Sequence, residues 1–91
     1  MKVTQFKNRN GQAVRNQFLI TDDNGNEIFQ SYDSVIVKKD YTGEKMKVYL
    51  DSYYWDYSTT TGKYRNIFLG ENKTETQKKI DSGEYILTDL N

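Results

Sequence analysis

The chain has 91 residues, with 13 basic and 13 acidic side chains and neither cysteine nor histidine. These totals exclude disulfides and thiolate metal sites, and they remove the most common general base and metal ligand, so we expect no cofactor, no metal and no enzymatic activity. A net charge of zero argues against attachment to DNA or to a membrane surface through charge alone.

The length predicts a single domain, residues 1–91, and an aromatic content of 14% predicts a small core rich in aromatic rings. Met1 is followed by Lys-Val-Thr-Gln rather than by a long apolar run. This start predicts a cytoplasmic protein with neither a signal peptide nor a membrane-spanning helix.

Glycines mark the predicted turns along the chain. Asn10-Gly11 and Asn24-Gly25 are typical of two-residue hairpin loops, because both central positions of such a turn need a positive φ. Thr61-Gly62 gives a weaker signal of the same kind, and Gly83 lies where it would end a helix. The acidic loop 22–27 lacks the ligand spacing of a calcium-binding EF-hand, and we interpret it as a hairpin turn.

Alternation of apolar and polar residues predicts strands between these turns. The clearest run places Met46, Val48 and Leu50 on one face of a strand. The predicted strands are residues 2–7, 15–21, 27–31, 34–39, 45–51, 63–69 and 84–88.

One helix is predicted, over residues 73–82. The residues from Thr74 to Gln77 fit a capping box, and those from Asn72 to Glu75 fit the same pattern slightly earlier. Only Ile80 is strongly apolar, so this helix would cover the sheet lightly. The expected fold class is mainly β (α+β): a strongly curved antiparallel sheet or small barrel, with one short helix near the C-terminus.

The densest set of candidate binding residues lies between residues 52 and 70, which hold the only tryptophan, four tyrosines and two cations. Such rings can anchor a protein interface, stack on single-stranded bases, or simply form the core. On an exposed surface the rings would anchor a partner, Arg65 would bridge a carboxylate or phosphate, and Lys63 would add a point charge. The predicted partner-binding residues are Tyr54, Trp55, Tyr57, Thr60, Lys63, Tyr64 and Arg65.

Two other features in or next to this segment can each be interpreted either as a functional site or as ordinary local structure. The hydroxyls of residues 58–61, followed by Lys63, could hold an anion, but the glycine pattern of a phosphate loop is missing and we expect a polar hairpin loop. Asp51 and Asp56 are the residue types of a glycosidase pair, but we interpret them as solvated carboxylates at a strand end.

The same segment resembles a motif of small proteins that bacteriophages and mobile elements carry. The shared pattern is Trp-Asp-Tyr-Ser-x-Thr-Thr-x-Lys-x-Arg-Asn-x-Phe-Leu over residues 55–69, and the similarity continues towards the C-terminus. Where this chain has Gly62 and Tyr64, such relatives are expected to have Ser and His. The resemblance implies no activity, but it does imply a phage or plasmid accessory protein that is expressed inside a bacterium.

Three functional hypotheses follow. The first is a non-enzymatic phage or mobile-element accessory protein that binds a host protein, for example to inhibit a host defence protein. The second is a single-stranded nucleic-acid-binding protein that uses the same surface. The third is a self-associating structural module that pairs through a free strand edge.

Overall fold

A computed structural model describes residues 1–91 as one mixed sheet of six strands with two helices packed on it. The strands are β1 (Lys2–Lys7), β2 (Ala13–Thr21), β3 (Glu27–Ser31), β4 (Ser34–Asp40), β5 (Lys47–Asp51) and β6 (Tyr85–Thr88). The helices are α1 (Thr59–Leu69) and α2 (Lys73–Asp81). The mainly β class is therefore confirmed. Neither helix is long and apolar enough to cross a membrane.

The strands lie in the sheet in the order of the sequence. Each of the first five pairs with its predecessor in antiparallel fashion, whereas β6 lies parallel to β5. A parallel neighbour needs a long crossover connection, and α1 and α2 supply it. The sheet is open, with β1 and β6 at its two edges, and it is not strongly curled. The prediction of a strongly curved antiparallel sheet or small barrel with a single helix is therefore wrong.

Helix α1 replaces the strand that was predicted at residues 63–69. Its buried positions include Thr61, Arg65 and Phe68, which are four and three residues apart and so share one helical face. The alternation of apolar residues in the same stretch imitates a strand only over its last few positions. The segment forms a helix rather than a strand because the helical spacing places the buried residues on one face, which packs on the sheet.

Capping residues define the two ends of α1. The Ser58 hydroxyl oxygen accepts a hydrogen bond from the Thr61 amide at 3.1 Å, and Gly70 ends the helix in the left-handed conformation with a φ of 70°. The predicted polar hairpin loop at 58–61 and the predicted turn at Thr61-Gly62 are therefore wrong, since both lie at the start of this helix.

The predicted helix at residues 73–82 is confirmed as α2. Its capping box uses Asn72, whose side chain accepts from the Glu75 amide at 2.9 Å. The Glu75 carboxylate in turn accepts from the Asn72 amide at 3.2 Å. Of the two capping patterns in the sequence, the earlier one therefore starts the helix.

The glycines of the first two hairpins adopt the predicted positive φ, but Asn10 and Asn24 do not, and each loop has five residues between its last paired positions. The prediction of two-residue loops is therefore wrong. Gly11 has a φ of 79° and Gly25 a φ of 82°. In the loop 22–27 the Asp22 carboxylate accepts from the backbone amides of Asn24 and Asn26, which closes the turn between β2 and β3. The interpretation of this acidic loop as a hairpin turn is confirmed.

The core lies between the sheet and the helices. Phe29 is at its centre, with its ring centroid 5.2 Å from that of Phe6 and 5.9 Å from that of Phe68 on α1. These contacts place α1 over the middle of the sheet. The buried apolar residues are Phe6, Phe29, Ile36, Val37, Val48, Leu50, Phe68 and Tyr85.

A buried carboxylate attaches the helices to β6. The Glu71 side chain is only 4% exposed, and it accepts hydrogen bonds from Thr76, Lys79 and Tyr85 at 2.6 to 2.8 Å. Burial and the hydrogen bond to Glu71 raise the pKa of Tyr85 to about 12. The connection between α1 and α2 is thereby fixed to the last strand.

Candidate functional site

The segment between β5 and α1, residues 52–58, is the tyrosine loop. Asp51 shapes it, because its Oδ2 accepts from the backbone amides of Tyr53 and Tyr54 at 3.1 and 2.8 Å. The amide of Trp55 donates to the Asp51 carbonyl at 3.0 Å, so the chain turns sharply as it leaves the sheet. This turn brings three tyrosine rings together on one side of the loop.

The three rings belong to Tyr53, Tyr54 and Tyr57. The centroids of Tyr53 and Tyr54 are 4.7 Å apart and those of Tyr54 and Tyr57 are 5.4 Å apart, both in edge-to-face contact. Tyr53 is 71% exposed and Tyr57 is 63% exposed. Of the eight tyrosines in the chain, only Tyr41 and Tyr85 use the hydroxyl in a hydrogen bond within the protein. The cluster therefore presents apolar area and unpaired hydroxyls to solvent.

A cleft of about 420 Å³ separates the tyrosine loop from the turn between β3 and β4. We call it the tyrosine cleft. It is lined by nine residues, seven of which carry a hydroxyl group, and none is lysine or arginine. At its base Ser31 of β3 and Thr61 of α1 form a buried hydrogen bond of 3.2 Å between their hydroxyls. The residues that shape its walls include Tyr32, Asp33, Ile36, Tyr54, Tyr57 and Ser58.

Irregular backbone on β3 and β4 forms the opposite wall of the tyrosine cleft. Phe29 pairs with Val37 and Gln30 pairs with Val35, so Ile36 is an extra residue in a β-bulge. The bulge changes the direction of the first residues of β4, which lie next to the cleft. Bulges are frequent beside functional sites for this reason.

Tyr32 occupies the turn between β3 and β4 in a left-handed conformation, with a φ of 53°. Its amide donates to the Asn16 carbonyl at 2.7 Å, and its side chain is 58% exposed. Left-handed φ costs a bulky residue on the order of 1–3 kcal/mol, and such outliers cluster at functional sites. Sequence reasoning missed Tyr32 and Asp33. The available signal was an aromatic residue in a two-residue loop, where asparagine or glycine is expected.

The structure separates the seven predicted binding residues. Tyr54 and Tyr57 line the tyrosine cleft. Trp55 and Tyr64 are half-buried and pack against the core. Two residues, Thr60 and Lys63, are exposed on α1 outside the cleft.

The remaining predicted residue, Arg65, is only 1% exposed. The prediction that it bridges a partner from an exposed surface is wrong. Its Nη1 donates to the Trp55 carbonyl at 2.6 Å and its Nη2 to Asn66 Oδ1 at 3.0 Å, while the guanidinium carbon lies 5.3 Å from the centre of the Trp55 ring. Arg65 therefore holds the tyrosine loop against α1.

Gly62 lies directly beside Arg65 in α1. A Cβ at this position would lie 3.5 Å from Arg65 Nη2, which is ordinary van der Waals contact. Alanine favours a helix interior over glycine by up to about 1 kcal/mol. We expect Gly62→Ala to raise the free energy of unfolding by about 0.5–1 kcal/mol, measured as a higher urea midpoint at unchanged m-value.

The control for this substitution is Gly70→Ala. Gly70 has open space around it but a φ of 70°, so the added Cβ brings backbone strain and should destabilise. A loss of stability in Gly62→Ala would mean that the guanidinium of Arg65 needs all of the space beside the helix.

A second depression lies on the other side of Tyr57 and Ser58, between the first turn of α1 and the start of α2. It has a volume of about 630 Å³, and we call it the cationic groove. Its lining includes Asp56, Ser58, Gly62, Lys63, Arg65 and Lys73. The tyrosine cleft and the cationic groove are contiguous, because Tyr57 and Ser58 line both.

Asp51 and Asp56 have separate structural roles. Asp51 is 2% exposed and accepts from the backbone amides of Leu90, Tyr53 and Tyr54, so its interpretation as a solvated carboxylate is wrong. Asp56 pairs with Lys73 at 2.6 Å and with Arg65 at 3.4 Å. Burial acts to raise the pKa of Asp56, but the two cations outweigh it and hold that pKa below the usual range.

No group of three or more acidic side chains is placed to hold a metal ion. No curated protein and no solved structure matches the chain. A family model does match it, over residues 1–84, and it describes a family of unknown function, DUF8033. Since this match spans all but the last seven residues, the chain belongs to the DUF8033 family.

Proposed function

We propose that this protein is a non-enzymatic binding protein whose tyrosine cleft takes an exposed segment of a partner protein. The observation that carries the proposal is a set of exposed rings at one cleft. Tyr32 and Tyr57 line the cleft, and Tyr53 lies beside it with its ring packed on that of Tyr57; each of the three is more than half exposed. Tyrosine gives large, rigid contact area at low cost in conformational entropy, and it is enriched among the residues that dominate binding energy.

The chemistry of the tyrosine cleft favours a protein segment over a nucleic acid. Hydroxyl groups line most of it, and Asp33 is its one charged residue. Nucleic-acid binding depends on cations that neutralise phosphates, and this cleft offers none. A polypeptide can use its backbone groups to pair with the free hydroxyls while its side chains pack on the rings.

The resemblance to phage and mobile-element proteins suggests the setting for this binding. In that setting the partner is a host protein inside the bacterium, and a host defence protein is the kind of target that an accessory protein would block. Inhibition of this kind needs only that a surface be occupied. It requires no catalytic group on the accessory protein.

The hypothesis of self-association through strand edges has less support. The two edge strands are each flanked by like charges, Lys2 and Lys7 on β1 and Glu84 and Asp89 around β6. Two copies that paired identical edges would bring these like charges together. Charged edge strands are a common device against such pairing.

The proposal predicts that host-protein capture depends on Tyr53 and Tyr57. We expect the double variant Tyr53→Ser/Tyr57→Ser to lose a specifically captured protein from bacterial lysate by tenfold or more, because each anchoring ring contributes on the order of 2 kcal/mol. The matched control is Tyr41→Ser, which removes another exposed tyrosine at the opposite end of β4. Quantitative mass spectrometry of cross-linked captures measures both.

Equal capture by the double variant and the control would contradict the proposal. The nucleic-acid hypothesis is tested separately with a labelled single-stranded oligonucleotide at two ionic strengths. Binding whose logarithm falls with the logarithm of salt, with a slope near −0.7 per neutralised phosphate, would favour that hypothesis instead.

A further inference from the structure

The cationic groove concentrates positive charge on a chain whose net charge is zero. Lys63, Arg65 and Lys73 line it against a single carboxylate, that of Asp56. Lys73 is engaged with Asp56, whereas the exposed Lys63 forms no ion pair and its Nζ lies 5.5 Å from the centre of the Tyr64 ring. The groove therefore carries an excess of cations that no protein group neutralises.

Arg65 supplies a buried donor to this groove that has no acceptor. A guanidinium has five N–H donors, and the hydrogen bonds of Arg65 reach only Trp55, Asp56 and Asn66. Its Nε is fully enclosed and has no hydrogen-bond partner, so no group from outside reaches that atom. Nη2 has two N–H groups but a single acceptor, Asn66 Oδ1, and it lies beside Gly62, which lines the groove. Buried donors are nearly always paired, so this free N–H next to the groove indicates an acceptor that comes from outside the chain.

The start of α1 adds backbone donors to the same place. The Thr61 amide is satisfied by the Ser58 hydroxyl and the Gly62 amide by the Ser58 carbonyl. The amides of Thr59 and Thr60 have no acceptor in the protein, and Thr59 is the one of the two that lines the groove. Free amides at a helix start carry partial positive charge and favour an anion there.

We propose that the cationic groove is a binding site for an oxyanion, either a phosphate or a carboxylate group. Lys63 would supply the unpaired charge, the free Nη2–H of the buried Arg65 a single donor, and the Thr59 amide a further hydrogen bond. Gly62 keeps the wall next to the guanidinium free of a side chain. Tyr57 lines both depressions, but none of the proposed anion donors is a ring of the tyrosine cleft. The anion site is therefore independent of the proposed protein partner.

The test is a titration of the ¹⁵N-labelled protein with inorganic phosphate and, separately, with acetate. In each titration the added anion replaces chloride, so that the ionic strength stays constant. We expect saturable NMR shifts centred on the Thr59 amide, on the other amides of the first turn of α1 and on the Arg65 guanidinium. Tighter binding of phosphate or of acetate shows which of the two oxyanions the groove prefers. Lys63→Gln should weaken binding severalfold, whereas Lys45→Gln, which removes an exposed lysine from the β4–β5 connection, should leave it unchanged.

Gly62→Ala provides a second test, because it adds a side chain to the groove without removing a charge. The spectrum of this variant should show an intact fold, and its affinity for the bound anion should fall. Equal NMR shifts with chloride in place of phosphate or acetate would overturn the proposal. Equal affinities of Lys63→Gln and Lys45→Gln for the bound anion would overturn it as well. So would undiminished binding by Gly62→Ala.

Discussion

Replacing Arg65 by alanine is expected to lower the free energy of unfolding by about 3–4 kcal/mol. The substitution leaves the Trp55 carbonyl without the donor that now lies 2.6 Å away, and it opens a cavity under the Trp55 ring. Loss of a buried charged donor and creation of a cavity are both among the most destabilising changes known for single residues.

The expected loss is large because two elements depend on one side chain. Arg65 lies on α1, and its acceptors lie on the tyrosine loop and on α1 itself. Asp56 keeps Lys73 as a partner in the variant, so the cost arises from the carbonyl and the cavity rather than from an isolated carboxylate. Without Arg65 the loop would separate from the helix and the tyrosine cleft would lose one of its walls.

Thermal unfolding measures this prediction, with Lys63→Ala as the matched control on the same helix. In a chain of this size a loss of about 3 kcal/mol lowers the Tm by on the order of 15 °C. Lys63 is exposed, so its removal should change stability by less than about 0.5 kcal/mol. Similar midpoints for the two variants would show that Arg65 is not what fixes the loop.

The antiparallel strands were predictable from local sequence. Residues 2–7 and 27–31 are predicted and observed with the same bounds. Their signals, alternation and positive-φ hairpin glycines, lie within a few residues of each other. The parallel placement of β6 was not predictable in this way, because it depends on a crossover of two helices and on contacts such as that of Glu71 with Tyr85.

The candidate site was only partly predictable. The sequence indicated Tyr54 and Tyr57 because aromatic rings are concentrated around them. It could not indicate that Arg65 is buried, since burial there depends on a carbonyl ten residues away that the tyrosine loop brings onto α1. It also gave little reason to add Tyr32, which reaches the tyrosine cleft only through the strained turn between β3 and β4.

Replacing Asp51 by asparagine is expected to lower the free energy of unfolding by about 3 kcal/mol at neutral pH. The Asp51 carboxylate accepts from the amides of Leu90, Tyr53 and Tyr54, and it therefore joins the C-terminal residues to the start of the tyrosine loop. Asparagine has nearly the same volume, but one of its two terminal groups is a donor that would face another donor. Asp33→Asn, at an aspartate with no hydrogen-bond partner of its own, is the control.

The size of this effect should depend on pH. Burial acts to raise the pKa of Asp51, but hydrogen bonds from the amides of Leu90, Tyr54 and Tyr53 and from the side chain of Asn91 outweigh it, so the pKa lies below its usual value of 3.8. A carboxyl group whose pKa is lower in the folded than in the unfolded chain stabilises the fold above the unfolded pKa. That stabilisation is lost as the pH falls through the folded pKa.

The difference in unfolding free energy between the native chain and Asp51→Asn should therefore be greatest at neutral pH and shrink as the pH falls below about 4. Glu71 and Asp56 also have lowered pKa values, so both proteins lose stability in acid, and only the difference between them reports on Asp51. Urea unfolding from neutral pH down to about pH 3 measures it. The difference should shrink because only the charged carboxylate can accept from all three amides at once. A difference that stays constant over this range would contradict the prediction and would mean that Asp51 acts through its shape and not its charge.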